Sequence, residues 1–242
     1  MGRSILSVSD LSFVRRKDDW AFTLKLDGLD VFPGDQRALI GPSGSGKSTL
    51  LDILAMALRP ASARRFVLRE GADEVVDLNG LWEEEDGDTL ADLRAHYVGY
   101  VLQQGGLLNF LTIRENIALP LRLLGAPVDD TFIQSLTRFL RIDRYLDRRP
   151  NELSVGERQR AGIARAVVHR PRLIFADEPT ASVDAANAHA VGRLLVDVAE
   201  GLGSALIVAT HDLDLVDRLG LKPLRLDIAN NSGGTLSRFA EE

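Results

Sequence analysis

Residues 41–49 read GPSGSGKST: Gly41-Pro42-Ser43-Gly44-Ser45-Gly46-Lys47-Ser48-Thr49. Three glycines and short spacers clear side chains away from one lysine and two hydroxyls. Glycine lets the backbone bend around an anion and turn its N–H groups inward. The apolar run Gln36-Arg37-Ala38-Leu39-Ile40 leads straight into Gly41, and a helical pattern from Ser48 to Leu58 follows, stopped near Pro60. A helix beginning here adds partial positive charge at its N-terminus. Lys47 adds a full charge for the β- and γ-phosphates, and Ser48 offers a hydroxyl to Mg²⁺. A strand, a glycine loop and a helix in this order predict a phosphate site built from Gly41 through Thr49.

Leu173-Ile174-Phe175-Ala176-Asp177-Glu178 is an apolar strand that delivers two carboxylates at its C-terminal end. Asp177 is expected behind Mg²⁺ through a water. Glu178 is expected to orient or deprotonate an attacking water. Alone, such a strand reads equally as the run-in to a helix cap; the glycine loop makes the carboxylates functional. Upstream, Leu153-Ser154-Val155-Gly156-Glu157-Arg158-Gln159-Arg160 opens a helical stretch ending before Pro171. Ser154 is a good N-cap. With Gly156 it also makes a second anion site. Two anion sites in one chain and one nucleotide suggest two chains sharing two nucleotides.

The 242 residues suit one large α/β domain or a core with a small appended subdomain. The formal net charge of -6 argues mildly against non-specific nucleic-acid binding. There is no cysteine, which removes disulfides, thiolate zinc sites and thiol nucleophiles. The stretch MGRSILSVSD lacks the shape of a signal peptide, and Leu6 stands where a myristoylation signal wants Ser or Thr. No stretch reaches about 18 apolar residues, so membrane work needs another chain. Short strands are expected at Ser4–Val8, Phe22–Leu26, Arg65–Arg69, Glu74–Leu78, Tyr97–Leu102, Ala205–Ala209, Leu224–Ile228 and Thr235–Phe239. The run Glu83-Glu84-Glu85-Asp86-Gly87-Asp88 reads as a solvated loop. Residues 112–149 read as helical, broken by Pro120 and by Gly125-Ala126-Pro127. Asn187–Glu200 is amphipathic, with Val191, Leu194, Leu195 and Val198 on one face. Buried strands alternating with helices predict a mainly parallel sheet with its ligand at the strand C-termini.

GPSGSGKST, Gln103, LSVGERQR, LIFADEPT, ASVDA and His211 occur in the order seen in ABC-type ATPases, the nucleotide-binding subunits of ABC transporters. The resemblance spans nearly the whole chain, from about Leu6 to beyond His211. It implies a P-loop NTPase fold of ABC type, α/β in class. Its parts are a mainly parallel core sheet, an antiparallel β subdomain and a helical signature subdomain at approximately 105–168, within one domain spanning 1–242. The implied ligands are ATP and Mg²⁺. By position, Phe13 resembles the aromatic residue that stacks on adenine. Gln103, preferred over its neighbour Gln104, resembles the glutamine that touches Mg²⁺ and the water. Asp184 resembles the aspartate that signals across the dimer, and His211 the switch histidine at the γ-phosphate. The catalytic set is then Glu178, His211, Gln103 and Lys47, and the metal set Ser48, Gln103 and Asp177. Two departures stand out: Val155 replaces the usual glycine and Glu157 the common glutamine. Residues 64–88 are also longer and more acidic than the family pattern.

Thr112-Ile113-Arg114-Glu115-Asn116-Ile117, coming after Gln103, looks like the subgroup serving lipoprotein release, macrolide export and bacterial cell division. That resemblance implies a transmembrane permease subunit as partner, a second ATPase subunit in a homodimer, no nucleic acid, and a peripheral place at the cytoplasmic face of the inner or plasma membrane. The alternatives are a soluble ABC ATPase of DNA repair or translation and a nucleotide-gated scaffold. Repair types insert a long coiled coil before the signature. Here Lys47 and Ser154 are 107 residues apart (154 − 47), without sustained heptads.

Overall fold

A computed structural model of the chain describes residues 3–18, 20–71, 74–103, 105–181, 183, 185–231 and 234–240. The first two strands, β1 (Leu6–Lys17) and β2 (Trp20–Val31), form an antiparallel ribbon paired from Leu6↔Val31 to Lys17↔Trp20. Both run well past the expected Ser4–Val8 and Phe22–Leu26. Beyond Phe13 the ribbon of β1 is exposed and basic (Arg15, Arg16, Lys17), so the in–out alternation fades while backbone pairing continues.

Strand β3 (Gln36–Ile40) runs into the glycine loop, and helix α1 (Lys47–Leu54) follows. The helix is shorter than the expected Ser48–Leu58. Met56 takes a left-handed φ of 59°, and its carbonyl accepts a 2.6 Å hydrogen bond from Arg94. The hairpin β4 (Arg65–Arg69) and β5 (Val75–Asp77) comes next. Two helices occupy the acidic stretch, α2 (Leu78–Glu83) and α3 (Gly87–Tyr97). Glu83, Glu84 and Glu85 are exposed, as expected of a solvated run. Asp86, in contrast, caps α3 by accepting from the Thr89 N–H at 3.0 Å.

After β6 (Val98–Val101) come α4 (Ile113–Leu123), α5 (Asp130–Phe139) and α6 (Val155–Val167). Helix α4 does not break at Pro120. The ring forfeits one N–H near the helix end, while Ile113, Ile117 and Leu121 stay buried on one face. The chain closes with β7 (Leu173–Asp177), α7 (Ala185–Leu202), β8 (Ala205–Thr210), α8 (Leu213–Leu219), β9 (Lys222–Asn231) and β10 (Gly234–Ala240).

Among the described residues ten strands join one sheet, ordered β5-β4-β1-β2-β10-β9-β3-β8-β7-β6. From β9 to β6 the pairing is parallel, and from β5 to β2 it is antiparallel. Strand β9 belongs to both halves, parallel to β3 through Leu224 and antiparallel to β10 from Arg225 on. Period-2 alternation splits each central strand between two cores. Leu173 and Phe175 of β7, with Ile207 of β8, pack with α1 and the β1–β2 ribbon. Ile174 and Ala176, with Leu206 and Val208, pack against α4, α6, α7 and α8. A sheet buried on both faces explains why these strands are continuous apolar runs. Their C-terminal ends carry the glycine loop, the Asp177–Glu178 pair and His211.

Candidate phosphate site and signature helix

Gly44 and Gly46 take left-handed φ values of 79° and 93°. A methyl group on Gly46 would lie 2.6 Å from the Phe22 ring, so this turn excludes any side chain. The loop folds around Lys47, which is only 5% exposed. Its Nζ donates to the Gly41 carbonyl at 2.7 Å and the Pro42 carbonyl at 3.1 Å, and lies 3.4 Å from Glu178 Oε1. A buried ammonium needs oxygen on several sides, and the loop and Glu178 provide it.

Strand β7 ends at Asp177, and Glu178 follows with a left-handed φ of 46°. Its N–H donates to the Ala209 carbonyl of β8 at 2.9 Å, which holds this uncommon conformation. The turn brings the Glu178 carboxylate between Lys47 and His211. His211 Nδ1 lies 2.9 Å from Oε2 and 3.1 Å from Oε1, so this nitrogen carries the proton and donates. His211 directly follows β8, at the ligand edge of the sheet.

Asp177 accepts from the Ser48 hydroxyl, yet its Oδ1 is buried without a hydrogen-bond partner. Burial raises its pKa. Ser48 and Lys47 act against that rise, while the neighbouring charges of Glu178 and Asp52 add to it. An orphaned carboxylate oxygen beside a hydroxyl, among surplus negative charge, is the environment a hard divalent cation fits.

A cleft of about 480 Å³ opens above the loop. It is lined by Ser43, Gly44, Gly46, Lys47, Ser48, Thr49, Gln103, Glu178 and His211, so the expected phosphate, glutamine and histidine residues converge. Gly41, Pro42 and Ser45 complete the loop behind them. Gly41 could not carry a side chain, because Leu226 and Ser45 fill that space. Phe13, expected as the aromatic wall, is not among the residues that line the cleft. It is half-buried in the core opposite Leu24. The aromatic wall is Trp20 stacked on Phe22, with ring centroids 6.4 Å apart and planes 18° apart, and Arg15 lies beside them. Trp20 stays 47% exposed. The signal was present in the ribbon register: Arg15 pairs with Phe22 and Lys17 with Trp20, so these rings share the Phe13 face but lie further out along it.

Ser154 and Gly156 stand apart from this cleft. Ser154 caps α6, and Glu157 completes a reciprocal capping box. Gly156 sits beside Val183 and Arg160. Asp184 and Gln104 lie outside the described residues. One connection is invisible in the sequence. The Gln159 side chain donates to the Leu102 carbonyl at 3.1 Å, and Arg165 donates to the carbonyls of Gly105 and Gly106 at 3.1 and 2.7 Å. Gly162 packs so closely on Gly105 that a methyl group there would be 2.6 Å from its Cα. The signature helix and the loop carrying Gln103 are therefore clamped together.

Residues 24–181 match the family model described as ABC transporter. The lipoprotein-releasing system ATP-binding protein LolD of Shewanella oneidensis is 38% identical over 195 residues, which are 79% of this chain and 80% of that protein. LolD of Legionella pneumophila (strain Lens) is 36% identical over 198 residues, covering 80% and 83%. The macrolide export ATP-binding/permease protein MacB of Syntrophobacter fumaroxidans is 39% identical over 189 residues, 76% of this chain but 25% of MacB. Among solved structures, the dimeric structure of MJ0796, a bacterial ABC transporter cassette, superposes with a TM-score of 0.74 at 29% identity, over 88% of this chain and 90% of that one. The dimeric post-hydrolysis state of MJ0796 bound to ADP and Pi gives the same TM-score, identity and coverage.

The strain at Asp177 has a measurable consequence. A carboxyl whose folded pKa is raised above its ordinary 3.8 makes the fold less stable as pH rises through that interval. Asp177→Asn should raise the thermal midpoint of the ligand-free chain at pH 7 by about 2 °C. The gain should vanish below pH of about 4. Thermal melts across pH check both statements, and a lowered midpoint at pH 7 would contradict them.

Proposed function

The chain belongs to the ABC transporter family as an ATP-binding subunit, and we propose that it hydrolyses ATP within a dimer to move a membrane partner. One observation carries this reading. Lys47, Ser48, Glu178, Gln103 and His211 line one cleft, with Asp177 hydrogen-bonded to Ser48 beside it, while Ser154 and Gly156 lie outside it at a helix N-terminus. A cleft that lacks its second anion site within the chain calls for a second copy. Residues 1–242 then act as one ATPase unit, with residues 105–168 as its helical arm.

In this mechanism the backbone of residues 41–49 and Lys47 hold the phosphates. Lys47 exchanges the carbonyls of Gly41 and Pro42 for phosphate oxygens, which releases Glu178. Ser48, Asp177 and Gln103 would hold Mg²⁺, and the orphaned Asp177 Oδ1 is the oxygen with spare capacity. When bound, the ion neutralises charge developing on the β- and γ-phosphates. Glu178 orients the attacking water and takes its proton. His211, bonded to Glu178 in the open cleft, turns to the γ-phosphate. Ser154 and Gly156 of the other subunit close the site, and hydrolysis restores repulsion that reopens it. The base stacks on Trp20, backed by Phe22, in place of Phe13.

Among the described residues no helix is long and apolar enough to cross a membrane. The names of LolD and MacB point to release and export systems, and we assign this chain a permease partner of that kind at the cytoplasmic membrane face. Tagged Glu178→Gln protein should bind ATP without turnover. From detergent-solubilised membranes with ATP present, it should bring down one multi-span membrane protein in stoichiometric amount. Recovery of ribosomes or DNA instead would favour the soluble ATPases of translation or repair.

The base assignment has its own readout, because the chain has only two tryptophans, Trp20 and Trp82. ATP should quench the emission of Trp20. Trp20→Phe should abolish the quench yet keep binding, and Trp20→Ala should weaken affinity by about tenfold. Phe13→Ala should leave the quench intact, and a quench lost with Phe13→Ala but kept in Trp20→Phe would return the role to Phe13.

A further inference from the structure

Glu157 stands in the first turn of α6, where it completes the cap on Ser154. Its Oε2 accepts from the Ser154 N–H at 2.8 Å, while the Ser154 hydroxyl accepts from the Glu157 N–H at 3.4 Å. The Tyr145 hydroxyl donates to the same carboxylate. Tyr145 is itself fixed, with the guanidinium groups of Arg144 and Arg148 at 4.7 and 5.6 Å from its ring centre. Together the Tyr145 hydroxyl and the Ser154 cap hold Glu157 ionised, with a pKa lowered to about 2. A full negative charge is thus tethered one hydrogen bond from Ser154.

Two positive features meet at this point, the N-terminus of the 13-residue helix α6 and the Arg160 guanidinium. Both would attract a phosphate. The Glu157 carboxylate is bonded at that N-terminus and offsets them, and Arg160 is among the charges that lower its pKa. A glutamine would make the same capping box without the charge.

We propose that Glu157 is an electrostatic brake on ATP-driven dimerisation: a fixed carboxylate beside Ser154 that opposes the γ-phosphate carried in by the second subunit. The proposal rests on the reading that Ser154 and Gly156 meet the nucleotide of the other copy. Glu157 acts through Ser154 and the helix N-terminus, so it is a positioning residue. Its effect is a repulsion between charges at a surface still open in the single chain. Such repulsion weakens dimers most at low ionic strength.

The test uses the hydrolysis-deficient Glu178→Gln chain, with ATP-dependent dimerisation followed by sedimentation at about 50 mM and about 500 mM salt. Adding Glu157→Gln should lower the dimer dissociation constant by about tenfold at low salt and by about twofold at high salt. A role confined to capping the helix predicts no salt-dependent difference, because glutamine keeps the cap. If the Glu178→Gln chain dimerises, and Ser154→Ala prevents it, but Glu157→Gln leaves it unchanged or weakens it, the brake is overturned and the shared site survives. If Glu178→Gln does not dimerise with ATP, or Ser154→Ala has no effect on dimerisation, the shared site falls and the brake with it.

Discussion

A lysine ammonium buried to 5% exposure must be surrounded by oxygen, and the rest of the site is arranged around that demand. The glycine loop exists because backbone carbonyls and N–H groups can crowd round Lys47 only where no side chain intervenes. Gly46 faces the Phe22 ring and Gly41 faces Leu226, so the β1–β2 ribbon and β9 close the loop from behind. Without phosphate, the Gly41 and Pro42 carbonyls and Glu178 satisfy the charge. The Lys47–Glu178 contact ties the lysine to the carboxylate that the proposed mechanism uses as base.

The parallel half of the sheet turns this local chemistry into a device. Strands β3, β7 and β8 are hydrogen-bonded neighbours, and their C-termini deliver the glycine loop, the two carboxylates and His211 within reach of one another. Strand β6, next to β7, leads into the loop carrying Gln103. That loop is clamped by Gln159 and Arg165 to α6, whose first turn bears Ser154 and Glu157. Any shift of the Gln103 loop is therefore coupled to α6 and to the Ser154 cap at its start. Buried Asn116 extends the connection: it bonds the backbone of Leu108, Leu111 and Thr112 and fixes the entry to α4.

Much of this was legible in the sequence wherever one local rule decided the matter. The apolar runs of β3, β7 and β8 and the glycine loop announce themselves, because a sheet buried on both faces tolerates little else. The Ser154 cap was equally plain. Legibility failed where the outcome depends on partners distant in the chain. The ribbon β1–β2 outlasts its alternation because pairing, not burial, maintains it. Pro120 was expected to break a helix that tertiary packing of Ile113, Ile117 and Leu121 keeps whole. Phe13 was expected at the cleft by position in the family pattern, whereas the ribbon register carries Trp20 and Phe22 to the cleft lining. The clamp through Arg165 joins residues about sixty positions apart and leaves no local pattern.

The central claim is that one nucleotide site is assembled from two copies of the chain. It is tested most directly by mixing two inactive variants, Lys47→Ala and Ser154→Ala, and measuring ATP hydrolysis. Each variant alone has no intact composite site. In a mixed dimer, Lys47 of one copy faces Ser154 of the other and one complete site reappears. Equal mixing should restore about a quarter of the unmodified rate if sites act independently. Hydrolysis that stays at the level of the separate variants, in a mixture shown to form mixed dimers, would contradict a site shared between subunits.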